Sequence, residues 1–150
     1  MSLLGKLFGV RAKPPDKTAL AIDLFTQSAF LMVHPDDYKN DLTRQRRVVV
    51  FLFGALDAVL QHNRIVGSEK VVQLKAYLSR NFGTLRAAEI ETTVSFLIDA
   101  SRDPQWIPIM ELGGQTFHDW AGGDTAAPSR LFNVVHGTPV FMRGKPVSYE

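Results

Sequence analysis

The sequence predicts an all-α fold, with about five main helices packed around a central hydrophobic helix at about residues 41–63. Apolar residues recur at the 3.6-residue spacing of amphipathic helices along most of the chain. Pro, Gly and helix-capping residues separate these stretches. The longest apolar run, Val48–Leu56, continues to Leu60 without a turn signal, which favours a helix over a strand. A helix that is apolar on nearly every face must be covered on several sides, so we place it at the centre.

The chain divides into three parts. An irregular C-terminal segment contains a short helix from Pro128 to His136, and two extended pieces about Arg143–Gly144 could pair as a short hairpin. Pro14–Pro15 separates an N-terminal arm from the body. The predicted parts are the arm at residues 1–15, the helical domain at 16–121 and the C-terminal segment at 122–150, packed on the same domain.

Local signals predict the limits of the other helices. The first helix extends to about Val33, and Ala19 and Ala29 are expected to let a neighbour approach. The apolar residues that follow its helical period are Leu20, Leu24, Phe25, Leu31 and Met32. The third is expected to begin at Ser68 and to stop at Gly83 in a left-handed conformation. Thr84 is the expected cap of the fourth helix.

The fifth helix is predicted over residues 104–120. Asp103 would be its N-cap, and Pro104 would occupy the first helical position, where a missing N–H costs nothing. Pro108 and Gly113–Gly114 lie inside the pattern. Because both interrupt helices, we expect this helix to be kinked or split.

Composition and charge limit the possible partners. The chain of 150 residues is 45% hydrophobic and 21% charged, which is typical of a globular domain. Its net charge is +2, and residues 1–75 hold 11 basic and 7 acidic groups against 6 and 8 in the second half. The basic residues form short separate clusters rather than one continuous basic face, so nucleic-acid binding is not favoured.

The absence of cysteine excludes thiol catalysis, thiolate zinc sites and disulfides. It agrees with a reducing compartment, and we expect a cytoplasmic protein. The nine residues of Val48–Leu56 are too few to cross a bilayer, which requires about 20.

Catalytic and metal signals are weak. His118–Asp119 is the best candidate pair for proton transfer, but its spacing to other His and Asp residues does not fit a metal-dependent HD phosphohydrolase. Metal ligands on one helix face need a spacing of three or four residues. The four histidines, His34, His62, His118 and His136, have no such partner. The sequence therefore predicts no metal and no cofactor, and it favours a non-enzymatic protein over an enzyme.

The turn from Asn63 to Glu69 lies between two helical stretches. Together, residues 55–82 loosely resemble the helix–loop–helix of TerB-like tellurite-resistance domains. The aspartate that the family carries in this turn is replaced by Asn63 or Arg64. The resemblance therefore implies a helical hairpin and does not extend to metal binding.

Interaction residues are better supported than catalytic ones. The arm has apolar and basic residues at the spacing of a short amphipathic turn. Three arginines precede the central apolar run, and aromatic residues concentrate in the last third of the chain. The candidate interaction residues are Leu4, Leu7, Phe8, Arg44, Arg46, Arg47, Trp106 and Trp120.

The sequence favours a non-enzymatic helical protein that acts through a protein partner or through self-association. One alternative is a small enzyme or small-molecule-binding protein with a pocket beside the 104–120 helix, which would use His118 and Asp119. Another is a peripheral membrane protein that uses residues 1–13.

Overall fold

The computed structural model describes residues 17–142 and 145–147, with the side chains of residues 17–140. The predicted arm at residues 1–15 lies outside this range. The all-α fold is confirmed. The described elements are α1 (Lys17–Phe30), α2 (Leu42–His62), α3 (Gly67–Asn81), α4 (Ala87–Ala100), α5 (Ile107–Ala121), α6 (Arg130–His136), β1 (Val140–Met142) and β2 (Lys145–Val147). Short 3-10 turns at Pro35–Asp37 and Ala127–Ser129 precede α2 and α6.

Helix α2 is the centre of the molecule, as predicted. Asp41 is the N-cap of this helix, and its Oδ1 atom accepts a hydrogen bond from the Arg44 N–H at 3.0 Å. Every residue from Val50 to Leu56 is buried, so nearly two full turns are covered on all sides. The helix contacts each of the five other helices.

The closest packing in the structure joins α2 to α5. A Cβ atom on Gly54 would lie 1.9 Å from the Met110 carbonyl oxygen, and one on Gly113 would lie 1.9 Å from the Phe51 carbonyl oxygen. The two backbones therefore touch at a pair of glycines, one from each helix. Helix α5 continues through Gly113 without a break, so the predicted split is wrong. The glycine serves close packing instead.

The start of α5 also differs from the prediction. Asp103 caps a turn that precedes the helix: its Oδ1 atom accepts from the Gln105 N–H at 2.9 Å, and its carbonyl oxygen accepts from the Trp106 N–H at 2.9 Å. The α-helix begins only at Ile107. Pro108 then lies in the first turn, where its missing N–H removes no helical hydrogen bond.

Helix α1 has two apolar faces, and the predicted set contained residues of both: Phe25 and Ala29 are buried, whereas Leu20 and Leu24 are exposed. The buried face is formed by Ile22, Phe25 and Ala29. Both sets satisfy a helical period, and the small Ala29 allows a neighbouring element to approach closely. The rest of the predicted set is exposed to solvent: Leu20, Leu24, Leu31 and Met32.

Two further boundaries were predicted wrongly. Helix α3 begins at Gly67 rather than at Ser68, and no side chain caps it. It ends at Asn81, and the left-handed conformation predicted for Gly83 is wrong, because the φ of Gly83 is not positive. The residue before α4 is Arg86 rather than Thr84. There the Glu89 Oε1 atom accepts from the Arg86 N–H at 2.9 Å, so a side chain inside the helix satisfies the free donor.

Helix α6 packs on α2. Helix α6 buries Leu131, Val134 and Val135. It ends at Gly137, which has a φ of 71° and so adopts the left-handed conformation that favours glycine. Strands β1 and β2 pair in antiparallel fashion, as the predicted hairpin requires.

Candidate functional site

A groove of about 470 Å³ lies between the first half of α2, the α3–α4 connection and α4. Its walls are mainly apolar. The volume falls within the range of about 300–1,000 Å³ that is typical of small-molecule sites. The main apolar wall residues are Val48, Val49, Phe82, Leu85 and Phe96.

Arg46 is the predicted interaction residue that lines this groove. Its guanidinium carbon lies 5.2 Å from the centre of the Phe96 ring, which is a cation–π contact. Within the described part of the chain, no carboxylate lies within ion-pairing distance of Arg46. The second cation on the rim, Lys39, is already paired, since its Nζ atom lies 2.6 Å from the Asp36 Oδ1 atom.

The other two predicted arginines have different surroundings. Arg44 donates from Nη1 to the Asp37 carbonyl oxygen at 2.9 Å, and its Nε atom lies 3.6 Å from the Asp41 Oδ2 atom. Arg44 therefore holds the start of α2 to the preceding turn. Arg47 lies beside Gly137, at the end of α6. Of the three arginines, the structure places Arg46 alone in the groove wall.

The second candidate surface, the outer α1 face, is formed by Leu20 and Leu24 of α1 and by Leu31 in the turn that directly follows the helix, where the Leu31 N–H donates to the Gln27 carbonyl oxygen at 3.1 Å. These side chains are 50%, 47% and 83% exposed. Positions 20, 24 and 31 follow the helical repeat and lie on one stripe. An apolar stripe in water is a feature of interaction surfaces. Sequence reasoning found these leucines but assigned them to the core.

The two predicted tryptophans belong to aromatic packing. Trp106 is only 8% exposed and packs edge-on against Phe96, with ring centroids 5.6 Å apart. Trp120 is half-buried and lies 5.5 Å from the Phe25 ring and 5.8 Å from the Phe117 ring. Trp106 is therefore a core residue behind the groove wall rather than an exposed contact residue.

The candidate pair His118 and Asp119 does not form a catalytic arrangement. Consecutive residues of a helix point about 100° apart, and His118 is exposed to solvent. The Asp119 carboxylate accepts hydrogen bonds from Arg130 Nη1 at 2.7 Å and from Gln115 Nε2 at 2.9 Å. Neither residue lines the groove. Asp119 thus joins α5 to α6.

This ion pair predicts an acid-dependent loss of stability. Burial raises the pKa of Asp119, but the hydrogen bonds from Arg130 and Gln115 outweigh burial and bring the pKa below its ordinary value of 3.8. A carboxyl with a lowered folded pKa stabilises the fold fully above its unfolded pKa, and the stabilisation is lost as pH falls through the folded pKa. We expect Asp119→Asn to lower the free energy of unfolding by about 1–2 kcal/mol near neutral pH.

Urea unfolding of the wild type and Asp119→Asn, at neutral pH and at about pH 3, measures this effect. The difference between the two proteins should shrink at the acidic pH. The matched control is Asp99→Asn, because Asp99 is an exposed aspartate on α4. A difference that stays constant with pH, or an equal loss in Asp99→Asn, would contradict the prediction.

The remaining candidate residues, Leu4, Leu7 and Phe8, lie outside the described residues. Among those that are described, no three His, Asp or Glu side chains are grouped so that they could hold a metal ion. None of the described helices combines the length and the hydropathy needed to cross a membrane.

Comparisons of the chain with protein-family models, curated proteins and solved structures found no match.

Proposed function

We propose that this chain is a non-enzymatic helical protein that works through protein association, and that it pairs with a second copy of itself through the outer α1 face. The observation that carries the proposal is the exposure of three leucines on one stripe that follows α1 and continues into the turn after it. Burial of a leucine side chain contributes about 1.5–3 kcal/mol relative to leaving it in water. A partner that covers the stripe would gain this free energy.

The arrangement of the stripe suits pairing with itself. In a symmetric dimer the same patch meets itself across a twofold axis. If two α1 helices lie antiparallel, with the axis midway between Leu24 and Gln27, Leu20 of each copy faces Leu31 of the other. Lys17 is the charged residue of this stripe, and it lies at one end. The two lysines would then be at opposite ends of the contact, where they do not repel each other.

The roles that the structure gives to the two candidate catalytic residues, His118 and Asp119, support the non-enzymatic part of the proposal. Asp119 is held by Arg130 and Gln115, and His118 points into solvent. A cytoplasmic location belongs to the same proposal, and the absence of cysteine agrees with it.

The test is the oligomeric state of the full chain, measured by light scattering from micromolar to millimolar concentration. We expect a dimer for the wild type and a monomer for Leu24→Glu, because the new carboxylate would be buried opposite the neutral Gln27 side chain of the other copy, with no cation to pair with it. Val72→Glu is the matched control, since Val72 is 58% exposed on α3. It should remain a dimer.

The full-chain double variant Leu7→Asp, Phe8→Asp tests the arm separately. A wild type that is monomeric at every concentration would overturn self-association. A dimer that survives Leu24→Glu but dissociates in the arm variant would move the contact from the outer α1 face to residues 1–13.

A further inference from the structure

The groove beside Arg46 has the chemistry of a binding site that is separate from the outer α1 face. None of the described residues that line it is acidic, whereas two of them, Lys39 and Arg46, are cationic. The groove is formed by α2, α4 and the segments that precede them, and no α1 residue lines it. A ligand there would not compete directly with the contact proposed for α1.

The floor of the groove is apolar but incompletely covered. Val49, Phe82 and Phe96 pack against the core, yet each is partly exposed. The polar residues of the lining are largely occupied. The hydroxyls of Thr92 and Thr93 donate to carbonyl oxygens of their own helix, at 3.0 and 2.8 Å. The floor therefore suits an apolar group that removes this surface from water.

The mouth of the groove suits a negative charge. Arg46 lies over the Phe96 ring and lacks an ion-pair partner among the described residues. A guanidinium group presents two parallel N–H donors that match the two oxygens of a carboxylate. The apolar floor and the cationic mouth meet at Phe96, which lines the groove and carries the arginine.

We propose that this groove binds a small amphiphile, with an aliphatic chain along Val49, Phe82 and Phe96 and a carboxylate paired with Arg46. The occupant is a carboxylate because Arg46, unlike the paired Lys39, has no ion-pair partner among the described residues. It is a small molecule because a groove of about 470 Å³ has the volume of such a site.

Calorimetric titration of the full chain with decanoate tests the proposal. Decanol and decyltrimethylammonium have the same chain length, and their head groups are neutral and cationic. We expect saturable binding of decanoate and weaker binding of the other two. Arg46→Gln should weaken decanoate binding by about tenfold and leave decanol unchanged, because only the charged hydrogen bonds are lost.

Arg102→Gln is the control, since Arg102 is an exposed arginine outside the groove. Trp106 offers a second readout, because its ring contacts Phe96 and its fluorescence should respond to an occupied groove. The proposal is overturned if decanoate does not saturate, if the cationic amphiphile binds equally well, or if Arg46→Gln and Arg102→Gln behave alike.

The titration is repeated on Leu24→Glu, the monomer expected from the outer α1 face. Equal binding by the wild type and this variant supports a groove that acts independently of association. Binding by Leu24→Glu alone would show that the groove is covered in the dimer, and it would overturn the proposal in favour of contact between copies. If the wild type is a monomer, the decanoate titration still tests the groove, because no α1 residue lines it.

Discussion

Gly54→Ala is expected to lower the free energy of unfolding by about 4 kcal/mol or more, which is at the extreme of single substitutions. The added Cβ atom would lie 1.9 Å from the carbonyl oxygen of Met110. That oxygen belongs to the backbone of α5, so a change of side-chain rotamer cannot relieve the overlap. The two helices would have to separate, and the buried contacts between them would be lost.

Gly113→Ala should have a similar effect, because its Cβ atom would lie 1.9 Å from the Phe51 carbonyl oxygen. Gly114→Ala should cost less, since its nearest contact would be 3.3 Å from the Gly54 carbonyl oxygen. The series therefore ranks three glycines by the space that the structure leaves beside each of them.

Gly83→Ala is the control for the general effect of replacing glycine. A Cβ atom on Gly83 would meet nothing within 4 Å, and its backbone is not left-handed. This variant should be neutral, or more stable by about 0.4–1 kcal/mol, because alanine restricts the unfolded chain. Urea unfolding followed by circular dichroism measures all four variants. Equal midpoints for Gly54→Ala and Gly83→Ala would show that α2 and α5 are not in backbone contact.

The same glycines show where sequence reasoning succeeds and where it fails. The apolar run from Val48 to Leu60 predicted the central helix, because a segment that is apolar on every face has few places in a globular fold. Gly54 lies inside this run, and the structure explains it by the close approach of the α5 backbone. Gly113 was interpreted as a helix breaker, yet its role depends on a helix about 60 residues away, which local sequence does not reveal.

The orientation of α1 could not be predicted for a related reason. Its inner and outer apolar stripes have the same period, and both contain large aliphatic or aromatic residues. The choice depends on which stripe fits the surfaces that α2 and the neighbouring helices present. Phe25 packs edge-on against Phe117 and Trp120, and such contacts are formed only in three dimensions.

The groove itself was not predicted, and Arg46 is its one lining residue among the predicted interaction residues. The arginine was identified from its position before the apolar run, but Phe82 and Phe96 come from later parts of the chain. No spacing rule connects these three positions. The candidate site forms where α2 packs against α4, so the sequence alone could identify only its charged residue, Arg46.

Thr26→Val is expected to lower the free energy of unfolding by about 1–3 kcal/mol, although it removes only one hydroxyl. Thr26 and Tyr77 are both buried, and their oxygens lie 2.7 Å apart. The Thr26 hydroxyl donates its single proton to the Ile22 carbonyl oxygen at 2.8 Å. Tyr77 must therefore be the donor to Thr26, and burial, which raises its pKa, keeps it protonated. Thr26→Val leaves this buried donor without an acceptor.

Removing both partners should cost less than the sum of the single changes. Tyr77→Phe alone is expected to cost about 0.5–1.5 kcal/mol, because Thr26 keeps its bond to Ile22. In the double variant no buried donor is left unpaired, so the coupling between the two changes should be about 1 kcal/mol. Thr92→Val is the matched control, since Thr92 also donates to the carbonyl oxygen four residues earlier but is exposed. A double variant whose loss equals the sum of the two single losses would mean that the Thr26–Tyr77 bond does not hold α1 to α3.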